Sequence, residues 1–346
     1  HINQSATGSK NAGYGEQLFE QGSQITQQSG GSLNDSLSSQ SVGESNQSLQ
    51  TQQGSANKSI VFQDTQVGSH ATTMQWGDRN EAVVEQMFGG TNNSALIMQG
   101  GTDNFAAAEH LYHQDGNIQI FQEGKGNWAY GDQRDGFAGV IGINQHGDGN
   151  SVEVWQGNQT DSQASVNQSG ERNEGYIDQS FGEANLASLS QSGTANASWS
   201  DQFETNNSVT SISQNGNNNL HFTYQTGDNH NLSITTTGNG NKIMASNWKG
   251  DKAGGQFGQN CGGGRVVDLV DLAPFDRGPV LLGHLGFEGQ DVGGGLGRGG
   301  PACGRVPCGA VRCGAVRCGW RGAGQAGESA GRANSSPGSG APARLL

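Results

Sequence analysis

Small or apolar residues and polar ones alternate with a period of two along most of the first 250 residues. After Asn80 come Ala82 and Val84, then Gln86. After Asn150 come Val152 and Val154, then Gln156, and after Asn185 come Ala187 and Leu189, then Gln191. Such alternation puts the named set on one face of a β-strand. Each run is short and bounded by glycine and asparagine, which predicts strands of about five to seven residues joined by tight turns.

The runs are copies of one another. A hexapeptide frame, Q-x-G-x-x-N, starts at Gln52, Gln75, Gln99, Gln122, Gln145, Gln168, Gln191 and Gln214, at intervals of 23 residues with a single 24. A looser copy, TTGNGN, follows from Thr236. Halfway through each period stands a second anchor: Gln63, Gln86, His110, Gln133, Gln156, Gln179, Gln202, Gln225 and, weakly, Asn247. Upstream the phase continues through Gln4, Gln17, Gln28 and Gln40. A fixed period of this length marks a solenoid. The expected fold is all-β: a β-solenoid of about eleven repeats with two short strands per coil, coils stacking at about 4.8 Å. The frame glutamines then form one column and the frame asparagines Asn57, Asn80, Asn104, Asn127, Asn150, Asn173, Asn196 and Asn219 another. Amide side chains stacked in register donate and accept along the column, so they can be buried without loss. The frame glycines Gly54, Gly77, Gly101, Gly124, Gly147, Gly170, Gly193 and Gly216 supply the turn conformation.

Composition supports this picture. All six prolines lie at or beyond Pro274, so the array contains no residue unable to donate to a strand ladder. Large apolar residues are few, and amide columns with small side chains must do the work of a conventional core. No apolar run reaches membrane-spanning length.

The nearly complete units QWGDRNEAVVEQ and QSGTANASWSDQ resemble the curlin repeat of curli subunits, extracellular amyloid proteins of bacterial biofilms. The resemblance covers about residues 1–250. It implies a β-solenoid subunit that is exported through an outer-membrane secretion pore, meets a nucleator subunit and stacks end to end into adhesive cell-surface fibrils. The array exceeds the repeat number of familiar curli subunits. The chain starts at His1, so a secreted product is expected in mature form without a signal peptide.

Independently of the family, a solenoid ends in unpaired strand edges. No cap is visible before the first repeat, so one molecule can template the next through a heterologous contact that grows a filament. Just before the half-repeat anchor lie Phe62, Glu85, Glu109, Asp132, Trp155, Asp178, Asp201 and Tyr224, expected on the outer face. The acids Glu85, Glu109, Asp132, Asp178 and Asp201 would repel one another along this column, raising their pKa values. Low pH or a divalent cation such as Ca²⁺ would then speed assembly; the plainer reading is a column that keeps a fibril soluble. Two residues earlier run Ile60, Val83, Ala107, Tyr130, Glu153, Tyr176, Trp199 and Phe222, a largely apolar and aromatic stripe suited to lateral bundling or adhesion, or equally to strand-favouring packing with no partner.

Other functions find little support. His110 and His113 are three apart, but His110 holds an anchor position and reads as a substituted glutamine rather than a metal ligand. No catalytic triad and no cofactor motif is legible. Before residue 253, 25 acidic residues stand against 9 basic ones, which argues against nucleic acid. The alternative function is a capped, monomeric β-solenoid adhesin, or an ice- or carbohydrate-binding protein, for which a regular threonine column is the missing mark. After about residue 250 the composition changes to glycine, alanine, arginine and proline, with all five cysteines. Residues 251–346 are therefore expected to be a separate, disordered Gly/Arg/Cys-rich tail, either native low complexity or a stretch read out of frame.

Overall fold

The short alternating runs pair across a whole repeat, not with their immediate neighbours in sequence. The computed structural model describes residues 1–247 and 254–260. These form 23 strands, numbered β1–β23 along the chain, and no helix. Odd-numbered strands make one twelve-stranded parallel sheet and even-numbered strands an eleven-stranded one. Each strand bonds to the strand two further on. Thus β11 (Asn117–Lys125) lies between β9 (Ser94–Thr102) and β13 (Val140–Asp148), with Gln122 opposite Gln99 and Gln145. The molecule is a parallel β-solenoid of about eleven coils, as the 23-residue period requires.

The strands run to seven to ten residues in most coils, longer than the alternation suggested. The frame explains the difference. The strand Gln47–Ser55 contains Gln52 and Gly54, so interstrand pairing continues round the bend that the glycine makes.

One face of each strand looks inward. Along β11, Ile118, Ile120 and Gln122 are buried while Asn117, Gln119 and Phe121 are half-exposed. Stacked register turns this into columns, one of which runs Ile97, Ile120, Ile143, Val166, Leu189, Ile212. All six are buried, and each contributes about 1.5–3 kcal/mol relative to exposure.

In the N-terminal coils the same column is polar. Gln27 and Gln50 occupy it, and Thr73 precedes Ile97. Gln4 donates to Gln27 (2.6 Å) and Gln27 to Gln50 (2.7 Å). Gln50 also donates to the Leu37 carbonyl and to Ser59 Oγ. This corrects two upstream anchors. Gln4 belongs to this second column, and Gln28 faces outward, with buried Ser29 opposite Gln52 in its place. At the far end, β23 (Gly254–Asn260) pairs with β21 (Asn231–Thr237), so the twelve-stranded sheet continues beyond residue 250. The tail from residue 261, with its cysteines, lies outside the described residues.

Candidate assembly site: amide columns, bends and the outer acid face

The frame glutamines form one continuous hydrogen-bonded column. Gln52, Gln75, Gln99, Gln122, Gln145, Gln168 and Gln191 each donate through Nε2 to Oε1 of the next, ending on Gln214, at 2.7–3.0 Å. The other Nε2 hydrogen crosses to the facing sheet. Gln122 reaches the Phe105 carbonyl and Gln145 the Trp128 carbonyl. Each glutamine thus ties together two coils and both sheets, in a buried setting where an amide hydrogen bond is worth most. The half-repeat column behaves likewise from Gln17 through Gln40 and Gln63 to Gln86, and from Gln133 to Gln225. His110 stands between the two runs, at the register position of Gln86 and Gln133.

The frame asparagines organise the bend. Oδ1 of Asn127 accepts both the backbone N–H and the side-chain amide of Asn150. Asn150 Nδ2 also donates to the His146 carbonyl and to the Gly170 carbonyl of the next coil. The same pattern recurs at Asn80, Asn104, Asn173 and Asn196. Gly54, Gly77, Gly101, Gly124, Gly147, Gly170, Gly193 and Gly216 all have φ between +99° and +130°. A Cβ at Gly147 would lie 2.1 Å from the Gly170 carbonyl oxygen, so stacked bends leave no room for a side chain. A second left-handed position, just before the asparagine, carries Ala56, Arg79, Asp103, Arg172, Ala195 and Asn218 as well as glycines. Sequence reasoning missed it because the residue type varies; the signal available was its fixed place in the frame.

On the outer face of the eleven-stranded sheet, Phe62, Glu85, Glu109, Asp132, Trp155, Asp178, Asp201 and Tyr224 are in register across successive coils. Burial, reinforced by Glu109, pushes Glu85 up. Burial raises Asp178, though hydrogen bonds from Ser180 and Tyr176 oppose it. Asp201 is pushed up to about 7, by burial first and Asp178 second. Asp132 is pushed up to about 6, chiefly by burial, with Arg134 pulling the other way. Although its position faces outward, Asp132 is fully buried. Arg134 Nε donates to it at 2.6 Å, the Tyr130 hydroxyl donates at 3.1 Å, and the Arg134 guanidinium lies 4.8 Å from the Trp155 ring centre. Adjacent aromatics continue this cover: Trp128 stacks on both Phe105 and Tyr130, and Tyr130 tilts against Trp155.

The twelve-stranded sheet's outer face is mostly small and polar near Ser188, Ser190, Ser211 and Ser213. In the middle coils it carries a shallow apolar groove lined by Trp76, Met98, Phe121, Asn144 and His146. The Trp76 indole covers Gly100, whose Cβ would stand 2.3 Å from the indole nitrogen. The six-residue frame gave no hint of this groove, because its residues fall at outward positions of different repeats.

These columns define a class of protein: a parallel β-solenoid whose interior is held by in-register glutamine and asparagine ladders. The family model for the curlin associated repeat matches residues 160–193, a segment that includes the frame at Gln168 and the anchor at Gln179. The match supports a curlin-repeat family for this chain. No curated protein matches the chain. Among the described residues no helix is long and apolar enough to cross a membrane.

Proposed function

We propose that the chain is a structural subunit of an extracellular, curli-like amyloid fibre, assembled by end-to-end stacking of coils for biofilm matrix and adhesion. The observation that carries this reading is the pair of amide columns running coil to coil along the array, one unbroken from Gln52 to Gln214. Columns of this kind add a further coil from a second molecule by the same bonds that join coils within one. The outermost strands of the described array, such as β1 (Ile2–Ser9) and β2 (Ala12–Gln21), have a sheet neighbour on one side only. Parallel edges of this sort are templates for pairing. The interior is filled by structural side chains, which suits a building block rather than an enzyme. Export through a secretion pore and contact with a nucleator subunit follow from the curlin resemblance and complete the proposal.

The test is assembly of the purified chain at neutral pH, followed by thioflavin fluorescence and electron microscopy. Fibrils whose lag is abolished by preformed seeds are the expected result. A stable monomer rich in β-structure would overturn the proposal in favour of a capped adhesin or an ice- or carbohydrate-binding solenoid.

A further inference from the structure

One arginine of the solenoid shows what the outer face of the eleven-stranded sheet can hold. Arg134 Nε donates to Asp132 at 2.6 Å, and Nη2 reaches Glu109, one coil earlier, at 3.4 Å. The guanidinium carbon lies 4.8 Å from the centre of the Trp155 ring, one coil later. Tyr130, two residues before Asp132, donates its hydroxyl to the same carboxylate at 3.1 Å. Two carboxylates from adjacent coils thus grip a planar cation while a ring from a third coil covers it. Arginine favours such surroundings, because its rigid fork of N–H donors pairs with carboxylates and its flat face packs on aromatic rings.

In-register stacking builds the same arrangement again, three coils on. The column that reads Glu109, Asp132, Trp155 continues as Asp178, Asp201, Tyr224, so acid, acid, aromatic occurs twice. Two residues earlier on each strand the first cradle has Ala107, Tyr130 and Glu153, and the second has Tyr176, Trp199 and Phe222. The second is therefore the more aromatic. Asp178, Trp199, Asp201 and Tyr224 are all half-exposed, within reach of another molecule. The cradles differ at the residue after the anchor glutamine. Arg134 follows Gln133, whereas Phe203 follows Gln202, and phenylalanine cannot pair with a carboxylate. Phe203 packs edge-on against Phe181 instead, with ring centres 5.6 Å apart. Pairing of β18 (Ala197–Asn206) with β20 (Leu220–Asp228) is also irregular between Gln202 and Thr205, whereas Arg134 keeps its register opposite Gly157.

The electrostatics of the two cradles differ accordingly. Arg134 pulls the Asp132 carboxyl down against its burial. Asp201 is held up by burial and by Asp178, and Asp178 by burial against hydrogen bonds from Ser180 and Tyr176; no cation acts on either. A guanidinium arriving from outside would meet two carboxyls one coil, or about 4.8 Å, apart. Trp199 and Tyr224 stand at the register positions that Tyr130 and Trp155 hold around Arg134. We propose that Asp178, Asp201, Trp199 and Tyr224 form a receptor for an arginine side chain of another polypeptide. A planar fork can engage both carboxylates at once, whereas a lysine ammonium is a compact and more strongly hydrated point charge. The site therefore selects arginine over lysine.

The test titrates the full chain with the peptide N-acetyl-Gly-Arg-Gly-amide, and with its lysine and citrulline counterparts for comparison. Carboxyl-carbon NMR of Asp178 and Asp201 reports binding, in solution or by magic-angle spinning, so the measurement works whether or not the chain forms fibres. The expected result is one saturable site per chain with Kd on the order of millimolar, weakened severalfold by about 1 M salt. The lysine peptide should bind at least about fivefold more weakly, and the neutral citrulline peptide should leave both carboxyls unmoved. Asp178→Asn and Asp201→Asn relieve a like-charge contact and should fold, each with about tenfold weaker binding. Phe203→Arg gives the second cradle the residue that the first carries and should block the peptide from within. Arg134→Ser, which installs the residue that Ser180 supplies at this position in another coil, should open the first cradle and raise the stoichiometry to two. Unmoved carboxyls in the parent chain, equal binding of the citrulline peptide, undiminished binding in Phe203→Arg, or a single site in Arg134→Ser would each overturn the proposal.

Discussion

Replacing Asn150 by alanine removes one rung of the asparagine column and nothing else. The Asn150 side chain donates to Asn127 Oδ1 (3.1 Å), the His146 carbonyl (3.2 Å) and the Gly170 carbonyl (3.0 Å). It accepts from the backbone and side-chain N–H groups of Asn173, both at 3.0 Å. Alanine leaves the buried Asn173 N–H without an acceptor and two carbonyls short of a donor. One orphaned donor costs about 1–3 kcal/mol, and with the weakened carbonyls the total is about 3–5 kcal/mol. Because each coil touches only its neighbours, the loss stays local. Native-state hydrogen exchange reads it directly: the Asn173 amide should exchange about 100- to 3000-fold faster, at about 1.4 kcal/mol per decade. Amides of Ile97 and Ile212, several coils away, should be unchanged. Asn150→Asp should cost more than alanine at neutral pH. Its second oxygen would face three acceptors, and its charge would be buried. Exchange at Asn173 accelerated less than tenfold by Asn150→Ala would refute the claim that the asparagine column holds the bends.

Further expectations concern the outer face and the frame glycines. The Asp201 carboxyl sits at about 7 in the fold against an ordinary 3.8, so the folded state binds its proton more tightly than the unfolded chain. The contribution of Asp201 to stability is therefore fully present below about pH 4 and is lost as pH rises to about 7; discounted for partial exposure, that loss is about 2 kcal/mol. The parent chain should gain denaturant resistance relative to Asp201→Asn as pH falls across that range, while the buried histidines His110, His113 and His221, whose pKa values burial lowers, contribute an opposite slope common to both chains. The same sign makes assembly faster at pH 5 than at pH 7; a rate indifferent to pH and to millimolar Ca²⁺ would remove the acid column from the assembly mechanism. Arg134→Met should raise the Asp132 pKa further, by about one unit or more, since the guanidinium is what restrains it; an NMR titration of the carboxyl carbon would show the change. Gly147→Ala meets a backbone oxygen at 2.1 Å with φ at +108°, and should destabilise its coil by about 3 kcal/mol or more. Gly149→Ala, at φ +65° with only the Arg172 Cγ at 3.5 Å, should cost about 1 kcal/mol.

Much of this architecture is written in the period. A frame recurring every 23 residues, with alternation of period two inside it, determines which side chains share a column, because parallel in-register pairing keeps equivalent residues opposite one another. Where the frame decays, the reading decays with it. In TQQSG, from Thr26, three adjacent residues could serve as the anchor, and only the pairing of Ser29 with Gln52 resolves the choice. The burial of Asp132 depends on Arg134, Tyr130 and Trp155, which approach from two positions and two coils; no single-strand alternation carries that information. His110 is recognisable in sequence as a glutamine substitute. Its burial beside His113, Gly116 and, from the next coil, Gln133 becomes visible only in the structure.

The central claim is that fibres grow by continuing the solenoid, coil upon coil, from one molecule to the next. Mass per length, measured on unstained fibrils by scanning transmission electron microscopy, tests it most directly. About eleven coils at about 4.8 Å occupy roughly 53 Å, and the chain weighs 36.0 kDa. A single filament should therefore carry about 0.7 kDa per Å, or a small whole multiple where filaments bundle. A value near 7.5 kDa per Å, one chain for each 4.8 Å layer, would mean that the chain abandons the solenoid and stacks as a flat in-register amyloid, and the account would fail.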